Sequence, residues 1–374
     1  MNDCTLASGE SAGLYIPSGP AAITPEWMTK ALRSTGIITK SRVTSLDSKI
    51  IGQGKGFTGP VARIKLAYDI DEPNAPKSLV AKFPVANAKL RTILNFSRLF
   101  EREIRFYKEL AERIELRTPV CYYSALDAEE VESILLLEDL GDSQVSSNVR
   151  HWSLKNTHLA IEQLAKFHAT WWNSPQLDEI TWMPTVVDDA CSLQELFRKL
   201  WRLYIKDISD EMSVTYIKIG EQLQDNVVKI CEHLGVPPQT ITHGDYRPRN
   251  LFFSSGPDGA SFAVVDWQVA MRGRGLLDVA YFLVSFPASY RRANEMRILK
   301  SYHSVLEKSG ICGYHLDECM LDYKYSILSV LIRLIAVQGS FLNLSSVGGR
   351  ALYKARLHRC ILAVKDHNIT ELVR

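Results

Sequence analysis

From residue 43 onward, apolar positions recur through "VTSLDSKII" and "PVARIKLAYDI", and the glycine-rich "GQGKGFTG" separates the two runs. That pattern predicts a strand, a turn and a second strand, with "KSLVAKFP" as a third, together an antiparallel sheet. In "SRLFEREIRFYKELAERI", Leu99, Ile104, Phe106, Tyr107, Leu110 and Ile114 lie largely along one helical side with charge on the rest, so a helix follows. "SILLLEDLGD" then reads as a buried strand ending in a polar turn. Beyond residue 150 the pattern becomes helical. "SLKNTHLAIEQLAKFHATWW" opens with Ser153 as N-cap and carries Leu159, Leu164, Phe167 and Trp171, and further helical stretches run at about 192 to 234 and 289 to 310. The most apolar run, "YSILSVLIRLIAVQGSFLNL" (325 to 344), is interrupted by Arg333 and Gln338 and reads as a buried helix rather than a membrane span. The chain therefore divides near residue 140 into a small sheet-rich half and a larger helical half, with the cleft between them the default ligand site. The expected organisation is a loose tail over 1–22, a small lobe over 23–137 and a large lobe over 138–374.

Composition narrows the function classes. At 374 residues and 46% hydrophobic content the chain suffices for a substantial core. Its 44 basic and 42 acidic side chains leave +2, so no overall field draws it to nucleic acid or to an anionic membrane. Seven cysteines, odd in number and without a CxxC pair, argue against both a disulfide framework and a zinc knuckle, and are read as reduced thiols of a cytoplasmic protein. The start, "MNDCTLASGESAGLYIPSGP", lacks the basic and apolar regions of a secretory signal. Nothing in the sequence bears on oligomeric state.

The chemistry concentrates in "THGDYRPRN", residues 242–250, where His243, Asp245, Arg247, Arg249 and Asn250 stand together without apolar periodicity between two short strand-like pieces, "PPQTIT" and "LFFSS". Burying such charges unpaired is unfavourable, so the stretch reads as a working loop presented by a scaffold. Asn250 follows Asp245 by five residues, and sixteen further on comes Asp266 in "FAVVDWQ". Phosphoryl transfer asks for a proton acceptor, magnesium ligands and a cation on the phosphates. Asp245, Asn250 and Asp266 fit the first two needs, since magnesium accepts one carboxylate and one amide oxygen and keeps several waters. The third points to Lys82, a lysine inside the apolar "LVAKFP" that requires a carboxylate partner: Glu103 on the following helix, with Glu101 as runner-up. Gly52, Gly54, Gly56 and Gly59 would let backbone N–H groups approach a phosphate.

HGDYRPRN, VVDWQ and GRGLLDVAYF, with VAKF and LLLEDLGD upstream, resemble the aminoglycoside phosphotransferase and choline kinase superfamily, nearest its ecdysteroid-kinase-like branch, over roughly residues 45 to 290. The resemblance implies an α+β, protein-kinase-like bilobal fold, with a small antiparallel-sheet N-lobe and a larger, mainly helical C-lobe. It also implies transfer of the γ-phosphate of ATP, with Mg2+, to a hydroxyl of a small metabolite. Position by position it makes Asp245 the base, Asn250 and Asp266 the magnesium ligands, Lys82 the phosphate-binding lysine, and Glu138, Asp139 and Leu140 the adenine-contacting hinge. Arg247 stands where protein kinases carry a lysine that meets the γ-phosphate, and is assigned a phosphate role. Two departures are plain: the glycine segment is not the protein-kinase pattern, and Pro60 removes a donor from it.

Blander readings compete for several members. His243 reads as a structural brace, Asp278 as a brace of the loop, and His168 as a satisfied core residue. Of the tryptophans, Trp267 alone is placed by its neighbour Asp266 to line an acceptor pocket. Against a small-molecule kinase stand a nucleotide-binding pseudokinase acting as an interaction module and a protein kinase. Only eleven residues separate Asp266 from Asp278 and no A-P-E follows, which leaves little room for a peptide-docking segment. The segment from about 175 to 240, with Trp182, Trp201 and Tyr204, is the expected acceptor-selecting insert.

Overall fold

Residues 14–51, 59–87, 91, 98–127, 132–141, 152–208, 214–256, 259–339 and 347–373 are described in a computed structural model of the chain. Gly52, Gly54 and Gly56 lie outside them. Two compact units result, Met1–Ala111 with Pro119–Gly141 and Glu112–Thr118 with Asp142–Arg374.

The first unit is built on a five-stranded antiparallel sheet of β1 (Val43–Ile51), β2 (Val61–Tyr68), β3 (Ser78–Lys82), β4 (Cys121–Asp127) and β5 (Glu132–Glu138) in the order β1-β2-β3-β5-β4. Alternation sorts its two faces. Ala62, Ile64, Leu66, Leu79, Ala81, Ile134 and Leu136 turn to one side, where they meet Trp27, Met28, Ala31 and Leu32 of helix α1 (Pro25–Ser34) in a single core. Val80 and Lys82 therefore point the other way. Thr24 caps α1 by accepting the Trp27 N–H at 3.1 Å. Neither α1 nor β4 was expected from the apolar pattern. β4 reads "CYYSALD", with polar and apolar positions out of alternation and a register irregularity between Cys121 and Tyr123. The expected helix over 97–114 is three pieces: α2 (Leu99–Arg105), a wider π turn at Phe106–Leu110 and a 3₁₀ turn at Ala111–Arg113.

The second unit is mainly helical. Helix α3 (Leu154–Thr170) begins at Ser153, whose hydroxyl accepts the Asn156 N–H at 3.1 Å, the cap read from the sequence. The single long stretch expected at 192 to 234 is instead α4 (Ala190–Ile208), α5 (Val214–Leu223) and α6 (Val227–Gly235). Asn226 makes the last break, its side chain donating to the Gln222 carbonyl at 2.9 Å. Strand β6 (Thr240–Thr242) pairs with β9 (Met271–Gly273), and β7 (Leu251–Gly256) pairs with β8 (Gly259–Val264) as a hairpin. Helix α7 (Leu276–Val284) is buried at every residue and packs against α9 (Leu316–Arg333), while α8 (Ala288–Lys308) packs on α3. The apolar run at 325–344 is the end of α9 continued by a π turn at Leu334–Gln338, and α10 (Val347–Asp366) follows. Among the described residues no helix is long and apolar enough to cross a membrane. Cys121, Cys191, Cys231, Cys312, Cys319 and Cys360 carry free thiols.

Candidate active site

The 243–250 loop leaves β6 and enters β7, and its shape is fixed from beneath by Asp278 in the first turn of α7. Asp278 is fully buried; its two oxygens accept the His243 N–H at 2.6 Å and the Gly244 N–H at 2.8 Å. His168 adds a third contact at 3.3 Å through Nε2, and its Nδ1 meets the Tyr302 hydroxyl at 2.8 Å. His168 is thus a core residue, as read, with a link to the loop that was not foreseen. Gly244 has φ 76°, and a Cβ there would collide with the Val269 carbonyl oxygen, so glycine is required in this motif. His243 is buried as well. Its Nδ1 accepts the Asp245 N–H at 3.2 Å, which leaves Nε2 protonated to donate to the Val265 carbonyl at 3.0 Å. Tyr246, also buried, donates to the Ala160 carbonyl at 2.7 Å.

On this support stand the polar side chains. Asp245 Oδ2 accepts from Arg247 at 2.6 Å and from the Asn250 amide at 3.2 Å, while Oδ1 is buried without a hydrogen-bond partner among the described residues. The Asn250 amide nitrogen also donates to the Asp245 carbonyl at 3.0 Å, so its donor side is committed and its oxygen is the atom left for a metal. The β7–β8 hairpin explains the sixteen-residue interval: Leu251 pairs with Val264, and the Val265 N–H donates to the Asn250 carbonyl at 3.0 Å. Asp266 follows with φ 75°, a left-handed turn at the foot of the hairpin.

These groups fit magnesium, which takes oxygen ligands and completes its shell with waters and substrate phosphates. Asn250 and Asp266 offer one amide and one carboxylate from adjacent chain ends, and no set of three His, Cys, Asp or Glu among the described residues forms a protein-only cage. Arg247 does not extend away from the base but pairs with it. Arg249 has its pKa lowered, by burial first and then by the nearby Arg247 guanidinium. Trp267, expected at an acceptor pocket, is instead wholly buried against Phe167 and His243, with ring centroids 5.6 Å and 4.6 Å away. Trp182 and Trp201 are buried too.

In the first unit Lys82 meets Glu103, its Nζ donating to both carboxylate oxygens at 2.6 Å and 2.7 Å. Glu101 belongs to another pair, bound by Arg98 at 2.7 Å. Side-chain exposures of 19% and 7% leave the Lys82–Glu103 pair largely out of water. Glu138 ends β5 with its N–H donated to the Val120 carbonyl at 2.8 Å and its side chain accepting the Val120 N–H at 3.2 Å. Asp139 accepts from Ser78 at 2.5 Å, Arg63 at 2.9 Å and the Gly141 N–H at 3.0 Å. Both side chains therefore brace the sheet. Gly59, at φ 149°, lies so close to the Phe83 carbonyl oxygen that a Cβ would overlap it.

Two arginines near the loop were not read as site residues from the sequence. Arg333 and Arg356, distant in sequence from the motif, lie in helical segments that no motif marks; the proximity of Met271 to both Gly244 and Arg333 becomes visible only in the fold.

The comparisons with known proteins agree with this architecture. No curated protein sequence matches the chain. A choline kinase from Cryptosporidium parvum Iowa II superposes with a TM-score of 0.52 at 12% identity, covering 87% of this chain and 91% of that one. An aminoglycoside 2'-phosphotransferase-IIIa mutant in complex with GDP gives 0.51 at 14% identity, covering 93% and 99%. These likenesses establish a protein-kinase-like fold, small antiparallel-sheet unit and larger helical unit included. The ecdysteroid kinase-like family matches residues 53–311, most of the chain, and the protein belongs to that family.

Proposed function

We propose that the chain is a small-molecule kinase of the cytoplasm, transferring the γ-phosphoryl group of ATP, with magnesium, to an alcohol hydroxyl of a hydroxylated metabolite. The observation that carries this reading is Asp245. One oxygen is held by Arg247 and Asn250, and the other is buried with no partner among the described residues, which is the state of a carboxylate awaiting a donor. In this reading the acceptor hydroxyl donates to Oδ1, and Asp245 orients it and takes its proton as the oxygen attacks phosphorus. Arg247 holds the carboxylate in place through its 2.6 Å ion pair. Asn250 and Asp266 are the residues that would hold magnesium, which when bound neutralises charge on the phosphates. Lys82, fixed by Glu103, is assigned to the phosphates, as is the backbone of the Gly52, Gly54 and Gly56 segment. The backbone of Glu138, Asp139 and Leu140 is assigned to adenine.

The test is calorimetric titration of ATP with magnesium and with chelator, joined to a screen of hydroxylated metabolites for ADP release. Binding that depends on magnesium, and loses that dependence in Asp266→Ala, is expected together with turnover on at least one alcohol. Equal ATP affinity in chelator overturns the metal assignment. Magnesium-dependent binding with no ADP release from any acceptor favours the pseudokinase, and release only with peptides favours a protein kinase.

A further inference from the structure

Resting on the kinase reading, we propose that the acceptor is an anion: an alcohol that also carries a carboxylate, sulfate or phosphate group, received by Arg356 and Arg333 beside Asp245. Arg356 lies on α10, is only 7% exposed, and donates through Nη1 to the Gln338 side chain at 2.8 Å. Its Nη2 is buried without a partner among the described residues, as are the Nε groups of Arg333 and Arg247. Arg333, at the end of α9, contacts the Met271 sulfur at 3.5 Å. The Met271 methyl in turn stands 3.3 Å from where a Cβ of Gly244 would be, next to Asp245, so Arg333 is one side chain removed from the loop.

A guanidinium is always charged and carries five donors, so burying one with donors unmet is unfavourable unless something arrives to meet them. Burial and then the charge of Arg247 push the Arg356 pKa down to about 10, which still leaves it cationic at neutral pH. Helix α10 packs against α7, which carries Tyr281 and holds the loop of Asp245 through Asp278, and Asp245 and Tyr281 both act on the Arg356 charge. Asp245 already pairs with Arg247, and Asp278 is occupied by backbone N–H groups. Positive charge is thus in excess on this side of the base. Guanidinium forks match oxyanions in shape and charge, and they repel the ammonium groups that an aminocyclitol or a quaternary amine would bring. A nucleotide phosphate is the competing occupant, but both arginines lie beyond the 53–311 segment that defines the family, as suits recognition particular to this chain's own acceptor.

Sulfate is the probe. Titrated into the full chain at constant ionic strength, it should bind the wild type. Arg356→Gln should weaken it about tenfold, the scale of one charge-assisted hydrogen bond, and Arg356→Lys should restore part of the loss. Affinity for magnesium-ATP should stay within about twofold, because the nucleotide is held elsewhere. In the turnover screen, hydroxy acids should outperform the matching neutral diols. Sulfate binding that is unchanged in Arg356→Gln means an adventitious ion only and overturns the proposal. Sulfate that competes with magnesium-ATP, or an Arg356→Gln chain that loses the nucleotide, moves the arginines to the ATP phosphates and overturns it equally. If Arg356→Gln does not fold, Arg333→Gln decides by the same readings. Arginine-dependent sulfate binding with no turnover on any alcohol would leave the anion site standing and remove the kinase reading instead.

Discussion

Asp278 holds Gly244 through the backbone, its Oδ1 accepting the glycine N–H at 2.8 Å while Oδ2 takes the His243 N–H at 2.6 Å. The loop that presents Asp245 is therefore anchored to the buried helix α7 by main-chain donors, which only a proline at one of these two positions would remove. A carboxylate is acceptor-only, so it serves both donors at once.

Asp278→Asn keeps the shape but turns an NH2 group toward one of those donors. The unmet N–H should reduce stability by about 1–3 kcal/mol. Turnover should fall further than nucleotide affinity, since the displaced group is the base. Thermal unfolding, ATP titration and single-turnover rates together check this. A variant that is less stable yet turns over normally would confine Asp278 to folding.

The Lys82–Glu103 pair separates a structural role from a functional one. Glu103→Ala would remove the carboxylate that accepts two hydrogen bonds from a largely buried ammonium, which by analogy with other buried pairs should lower stability by up to about 3–5 kcal/mol. The double replacement Lys82→Met with Glu103→Leu removes both charges and refills the space, so unfolding by denaturant should show most of that stability recovered. If Lys82 meets phosphates, the double variant should still lose magnesium-ATP affinity and turnover. Recovery of both functions along with stability would reduce the pair to a structural bridge.

How far the sequence revealed this molecule depended on the range of each interaction. Lys82 stood out because an apolar strand is unfavourable for a lone ammonium, and Glu103, one short helix away, answers it. Ser153 announced its helix by a local bond, as N-caps do. The interval from Asn250 to Asp266 follows from a hairpin whose strands flank it. By contrast, β4 lacks alternation because only Tyr123 among its residues is fully buried, and the break at Asn226 depends on a side chain returning to Gln222. Arg356 reaches the neighbourhood of Asp245 from more than a hundred residues away, on a helix with no motif, and only folding brings it there.

A separate cluster couples α8 to the carboxyl-terminal region and should govern acid stability. Burial would raise the Glu295 pKa, but hydrogen bonds from His367 and Arg291 and their charges outweigh it and hold it below 4.5. Arg291 also pairs with Asp366, and Tyr323 donates to Glu295 at 3.3 Å. A depressed folded pKa means that this stabilisation is present above the unfolded value of 4.5 and drains as pH falls through the folded one. Glu295→Gln should thus flatten the fall in stability below about pH 4.5 and lower the stability at neutral pH. Urea unfolding at a series of pH values tests it, and parallel acid limbs in the two proteins would refute it.

Asp245→Asn is the sharpest trial of the site. The amide keeps the size and can still accept from Arg247 or Asn250 through its oxygen, so the loop should hold its shape. It cannot take a proton. General-base contributions of roughly 10²- to 10⁴-fold set the expected fall in turnover on an identified alcohol. Nucleotide affinity should hardly move, because the atom lost is the one facing the acceptor. Loss of charge also turns the 2.6 Å ion pair with Arg247 into a weaker neutral hydrogen bond, so a drop in nucleotide affinity would mean that Arg247, not Asp245, is the more important member of the pair. Full turnover in Asp245→Asn, with the chemical step shown to be rate-limiting, would dismiss Asp245 as the base.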